Sequence, residues 1–446
     1  MSKRNVILIV IILVVLVAIV FGFLYFYQPK NTTTETTEGT NFFANFLPFG
    51  KSKTVTPTNT ETPADISGYE PTNEEDTSNA ILKKVSSLPV AGYGVFMKER
   101  FKDIADPNPS PALPEGEGAT QPTPAKPVTP PTEFVPALKY VEKARGIIYQ
   151  TFADKIDERK FSSTVIPKVY EAFLGNKGDS VIMRYLKTDD KTIQTFVGTS
   201  PKEFLGADSV GTNEIKGSFL PENISDISVS PDASKIFYLF DIGENAAGVT
   251  LSLQNNTKVQ IFDSSFTEWL SFWPNDRMIT LTTKPSANVP GFMYATNPDR
   301  KDLNKILGGI NGLTTLTSPD GKMVLYGDNN LSLKILNIES RNSNLLGVKT
   351  LPEKCVWNKT SDTIYCAVPK YIDRAFYPDS WYQGEISFSD EIWKIDVVSG
   401  NTTLISDPAS IGEEEMDAIK LGLDDNQNYL FFVNKKDSYL WELDLK

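Results

Sequence analysis

Histidine is absent from these 446 residues, and cysteine occurs only twice. Without histidine there is no Ser-His-Asp or Cys-His machinery and no His-ligated zinc. Two cysteines cannot build a thiolate cage around a metal. No G-x-S-x-G elbow is present, nor a Gly-rich phosphate loop ending in Lys-Ser/Thr. Positive charge is short as well: 44 Lys+Arg face 56 Asp+Glu, a net charge of −12. That balance argues against a nucleic-acid partner and against a body that lies on anionic lipid. No cofactor and no metal are expected. Glycoside hydrolysis by a carboxylate pair survives these exclusions, because it needs no histidine.

Long apolar runs are scarce too, with one exception. "VILIVIILVVLVAIVFGFLYFY", residues 6–27, carries no charge and follows Lys3 and Arg4. At ~1.5 Å per residue it is long enough to cross a bilayer. It exceeds the ~7–15 apolar residues of a cleaved signal peptide, and no A-x-A site follows. Residues 1–30 therefore read as a cytoplasmic stub and a signal anchor, with the rest of the chain extracytoplasmic at the cell membrane. Residues 31–79, rich in Thr, Glu, Asn and Pro, read as a disordered tether. One island interrupts it: "NFFANFLPFG", with Phe42, Phe43, Phe46 and Phe49. It is either a docking motif for a partner or the membrane interface, or a cluster resting on the folded domain. A Pro-rich stretch at 106–133 has strand-like sequence on both sides, which makes it an insertion within a domain spanning 80–446.

The two cysteines sit in "KCVWNKTSDTIYCAV", two strand-like runs around a polar turn. If Cys355 faces Cys366, period-two alternation makes Trp357 face Ile364. Disulfides persist outside the cytoplasm, so a cross-strand disulfide is the parsimonious reading, with free thiols or a redox pair as alternatives.

From about residue 80 one pattern recurs: an apolar strand, a polar turn, a strongly apolar strand, then two more strands. The turns are "VSPDASKIFYLF", "FWPNDRMITL", "TSPDGKMVLYG" and "VWNKTSDTIYCAV", with looser copies at "FLGNKGDSVIMRY" and "GLDDNQNYLFFV". Asp232, Asp276 and Asp320 read as turn formers. Repeats of about 40–50 residues with several short strands each indicate an all-β propeller. Seven blades fit best; six or eight stay open, because the Pro-rich insertion breaks the first. The last repeat lacks a fourth strand, and residues 81–86 are expected to supply it by pairing with 438–445. The "SPDG"-type turn followed by an apolar strand resembles WD-repeat-like propellers such as the periplasmic propeller of the Tol-Pal system. It is also similar to the propeller domains of prolyl-oligopeptidase-type peptidases. Anchor, tether and propeller together resemble membrane-anchored propeller proteins of candidate-phylum bacteria. These resemblances imply architecture and compartment.

One connection is out of scale. "PKYIDRAFYPDSWYQGEISFSD", residues 369–390, joins the second and third strands of the sixth blade and carries Tyr371, Phe376, Tyr377, Trp381 and Tyr382. Tyr, Trp and Arg dominate recognition surfaces, so these five are the candidate binding residues. The competing reading packs them onto the ring. The expected function is a protein-interaction scaffold at the cell envelope, not an enzyme. Its partner is an envelope protein. The alternatives are a cell-wall glycan as ligand or a carboxylate-dependent glycosidase.

Overall fold

A computed structural model describes residues 82–102, 131–201, 203, 213–412 and 414–446. The segments read from sequence as a signal anchor (1–30) and a tether with Phe42, Phe43, Phe46 and Phe49, and all but the last three residues of the 106–133 stretch, lie outside the described residues. Among the described residues no helix is long and apolar enough to cross a membrane.

Seven four-stranded antiparallel sheets form the blades of a propeller. Blade 1 begins at Val90–Phe101, blade 2 at Val169–Gly175, blade 3 at Asp226–Val229 and blade 4 at Trp269–Asn275. Blades 5, 6 and 7 begin at Thr314–Thr317, Cys355–Trp357 and Ala418–Leu423. In blade 7 the fourth strand is Leu82–Lys84, which pairs antiparallel with Leu440–Asp444, Leu82 opposite Leu443. The last blade thus joins the first and last of the described strands.

The apolar pattern explains why the sheets stack side by side. Side chains alternate along a strand, so a blade between two neighbours must be apolar on both faces. In Thr363–Pro369, Ile364, Cys366 and Val368 pack toward blade 5, while Tyr365 and Ala367 pack toward blade 7. In Tyr429–Asn434, Leu430 and Phe432 face blade 6, and Tyr429, Phe431 and Val433 face blade 1. Seven hydrophobic clusters result, one at each junction of neighbouring blades.

Antiparallel strands put the first-to-second turns of every blade on one side of the ring, here the turn face. Second-to-third loops and blade-to-blade connections emerge on the other, the loop face. On the turn face the polar residues bond their own backbone. Ser318 Oγ donates to Asp320 Oδ1 (2.6 Å), which also accepts the Lys322 amide (3.0 Å). Asp232 does the same with Ser230 and Ser234. In blade 4 the accepting side chain is Asn275, from the Arg277 amide, rather than Asp276. Gly321 takes φ +72°, a left-handed conformation that suits glycine.

Cys355 and Cys366 stand opposite each other and form a disulfide, with Trp357 opposite Ile364. Both cysteines are buried against blade 5.

Candidate functional site

The long connection of blade 6, residues 370–389, leaves the ring after Pro369 and returns at Asp390. Lys370 and Ser389 close its base through a backbone hydrogen bond of 2.9 Å. Its middle forms one helical turn, Asp379–Tyr382. Tyr377, Trp381 and Phe388 turn inward and pack on Leu331 of blade 5 and Leu351 of the blade 5–6 connection. Their rings lie near-parallel: Trp381 on Phe388 at 20°, Tyr377 on Phe388 at 23°.

Beneath these rings lies a buried ion cluster. Lys354 is fully buried, and its ammonium has three acceptors: Asp417 Oδ1 (2.5 Å), Asp390 Oδ2 (2.8 Å) and the Ala418 carbonyl (2.9 Å). That matches the donor capacity of an ammonium group. Asp417 also accepts from the Trp381 indole (2.9 Å), Ser387 Oγ (3.0 Å) and the Phe388 amide (3.1 Å). Burial pushes Asp417 upward, but Lys354 and these donors outweigh it and hold its carboxyl below the usual range. Asp390 has fewer donors, and its Oδ1 has no hydrogen-bond partner among the described residues. Burial there prevails over Lys354 and carries Asp390 up to about 6.

The loop reaches four blades. Asp379 accepts the Ala287 amide of blade 4 (2.6 Å) and Ser286 Oγ (3.3 Å). Lys435 of blade 7 donates to the Trp381 carbonyl (2.7 Å) and stands 4.6 Å from its ring centre. Tyr382 donates to Glu353, which burial raises to about 7 despite that bond. These two groups close a cavity of about 60 Å³ lined also by Leu270, Phe272 and Thr315. That is room for about two waters.

The five candidate residues therefore part company. Tyr371 is 82% exposed, Phe376 66% and Tyr382 39%; all three face solvent on the loop face. Tyr377 and Trp381 are buried and cannot touch a partner in this arrangement. Their indole and phenol are spent on Asp417 and on the Asp373 carbonyl. They hold the loop that presents the others. Beside Tyr371 a groove of about 510 Å³ runs between blades 5 and 6, lined by Trp393, Glu391, Lys349, Lys370 and Thr402.

No protein-family model matches the sequence, and no curated protein matches it. Solved structures do. Oligogalacturonate lyase from Vibrio parahaemolyticus is similar at 8% identity and a TM-score of 0.47, over 70% of this chain and 86% of the lyase. TolB from Acinetobacter baumannii is similar at 10% identity and a TM-score of 0.37, over 68% of this chain and 60% of TolB. A functionally unknown protein from Desulfotomaculum acetoxidans gives 14% identity and 0.40, over 69% and 89%. At these identities the likeness is one of fold.

Sequence reasoning missed a second feature of the loop face. Phe266, Trp269, Phe292 and Tyr294 line a groove between blades 3 and 4. Trp269, Phe292 and Tyr294 fall in ordinary strands, and Phe266 lies alone in the connection between Ser264 and Trp269, so no aromatic run marks the groove in the sequence. Among the described residues no group of three or more acids or cysteines is placed to hold a metal.

Proposed function

We propose that the chain is a membrane-anchored, extracytoplasmic propeller that serves as a protein-interaction scaffold at the cell envelope. The observation that supports this most is the division of labour within residues 370–389. Tyr371 and Phe376 stand in solvent, and Tyr382, bonded to Glu353, is half-exposed, on a loop whose base is fixed by Trp381, Lys354 and Asp417. Exposed aromatic side chains on a rigid support lose little entropy on binding, which is how interface anchors work. The compartment in this reading rests on the apolar run at 6–27 and on the sequence's resemblance to envelope propellers.

The test is crosslinking on intact cells with the full chain as bait, read by mass spectrometry. The expected outcome is one dominant protein partner, lost in Tyr371→Ala/Phe376→Ala while the unfolding midpoint stays within error. A partner retained by that variant would remove these residues from the interface.

A glycan-binding reading rests on the groove beside Tyr371, where Tyr371 and Trp393 stand among Glu391, Lys349 and Thr402. Retention of the full chain on purified cell envelope, without any protein partner, would favour it. In either case the reading is non-catalytic.

A further inference from the structure

A groove of about 770 Å³ opens on the loop face between blades 3 and 4, well away from Tyr371 in the chain. Phe266 at its rim is 71% exposed, and Val289 and Leu303 are exposed beside it. Its rings are crossed. Phe262, Phe266 and Tyr294 stand at 83°, 84° and 71° to Trp269. The Trp269 indole N–H is already bonded to the Phe266 carbonyl (2.8 Å). A sugar ring prefers a flat aromatic shelf with free donors around it. A box of crossed rings, without a free indole donor, fits a bulky apolar side chain instead.

Charge narrows the occupant further. Asn245 lines the groove at the end of the blade 3 turn, and the residues just before it include Asp241 and Glu244. Both are exposed, and neither side chain has a hydrogen-bond or ion-pair partner among the described residues. Ile242 is exposed between them. Of the other charges at the groove, Glu268 is paired with Lys284 (2.8 Å) and Asp263 with Lys301 (2.6 Å), and the one cation without a carboxylate among the described residues there, Lys305, stands over the Phe292 ring at 4.7 Å, so it offsets one of the two acids. The unbalanced charge is therefore negative. The outer strand Arg300–Asn311 meets its neighbour through three register breaks, so its open edge offers no regular ladder for an added strand. The wall at 284–289 is held in place by Asp379 on one side and by Asn329, which donates to the Ala287 carbonyl (2.9 Å), on the other.

We infer that this groove is a second docking site, and that its occupant is a peptide segment of a protein partner with a bulky apolar side chain next to Lys or Arg. The apolar side chain enters the box of Phe266, Trp269 and Tyr294. The basic neighbour meets Asp241 and Glu244.

The test selects a random display library of peptides about twelve residues long on the purified full chain. Enriched peptides should share an apolar anchor with an adjacent basic residue. Their affinity should fall at least about tenfold in Phe266→Ala. It should fall several-fold in Asp241→Asn/Glu244→Gln at ~0.05 M salt and hardly at ~1 M, where exposed charges are screened. Phe266 is exposed, so an unchanged unfolding midpoint is expected of its variant. No enriched peptide, acidic flanks, or binding indifferent to Phe266 would overturn the inference. Phe266-dependent binding of a chito-oligosaccharide with no peptide bound would overturn it too. Tyr371→Ala should leave these peptides bound, so failure here and failure of the blade 6 patch are separate results.

Discussion

The two faces of the ring use polar residues in opposite ways. On the turn face most polar side chains bond within their own turn, and single bonds link neighbouring turns. The side chains of Ser318 and Asp320 bond within their own turn, the Asp320 amide reaches Ser361 of the next blade's turn, and Asp424 caps the Asn428 and Tyr429 amides a few residues on. On the loop face the polar residues belong to several blades at once. Lys354 lies between blades 5 and 6, Asp417 between 6 and 7, Asp390 begins a strand of blade 6, and Trp381 arrives from the long loop. Local bonding makes a face that tolerates change residue by residue. Shared bonding makes a face that is rigid as a unit and fails as a unit, which suits a surface that must present aromatic side chains in fixed positions.

The sharpest break should come from Lys354→Met. It leaves Asp390 and Asp417 buried without their cation, and removing one partner of such a cluster costs roughly 3–5 kcal/mol. Denaturant titration should show the midpoint falling sharply. Next comes Trp381. Its replacement by Ala should cost about 3–5 kcal/mol through the lost packing, whereas Trp381→Phe should keep the stack and lose only the bond to Asp417, about 1–3 kcal/mol. Equal losses in the two variants would mean that packing plays no part.

Protonation gives a third lever on the loop face. Burial lifts the folded-state carboxyl of Glu353 to about 7, above its unfolded value. The folded protein therefore binds the extra proton, and this group's contribution to stability is present below about pH 4 and is lost as pH rises toward 7. The slope is at most ~1.4 kcal/mol per pH unit. Glu353→Gln should flatten that part of the pH profile and gain most at pH 8. A profile unchanged by the substitution would show that Glu353 ionises as an ordinary surface acid does.

The smallest effect belongs to the turn face. Asp320→Ala should cost about 1 kcal/mol, the net worth of a hydrogen bond or two in a solvated turn. A loss as large as that of Lys354→Met would erase the distinction between the faces.

How far the sequence could be read follows the same divide. Blade boundaries were legible because each second strand is apolar at consecutive positions and each turn carries its own Asp, Asn, Ser or Gly. The Cys355–Cys366 register was legible because eleven residues with one polar turn leave two strands of fixed alternation. The loop face was not. The partners of Trp381 come from positions 354, 417 and 435, which no local pattern brings together. Aromatic content marked the loop as unusual, but which rings turn inward depends on those distant acceptors. The groove at Phe266 escaped notice for another reason: Phe266 is a single aromatic in a short connection, and alternation hides whether the strand faces of Trp269, Phe292 and Tyr294 meet a neighbour or open beside one.

Leu82–Lys84 lies alongside Leu440–Asp444 in one sheet. The order of blades around the ring is thus separable from the order in which they are synthesised. A circularly permuted chain, with Lys446 linked to the segment before Leu82 and new ends cut into an exposed turn such as 338–342, would meet the same seven junctions in the same cyclic order. Where translation starts would then be a matter of address and timing, and the shape would be indifferent to it.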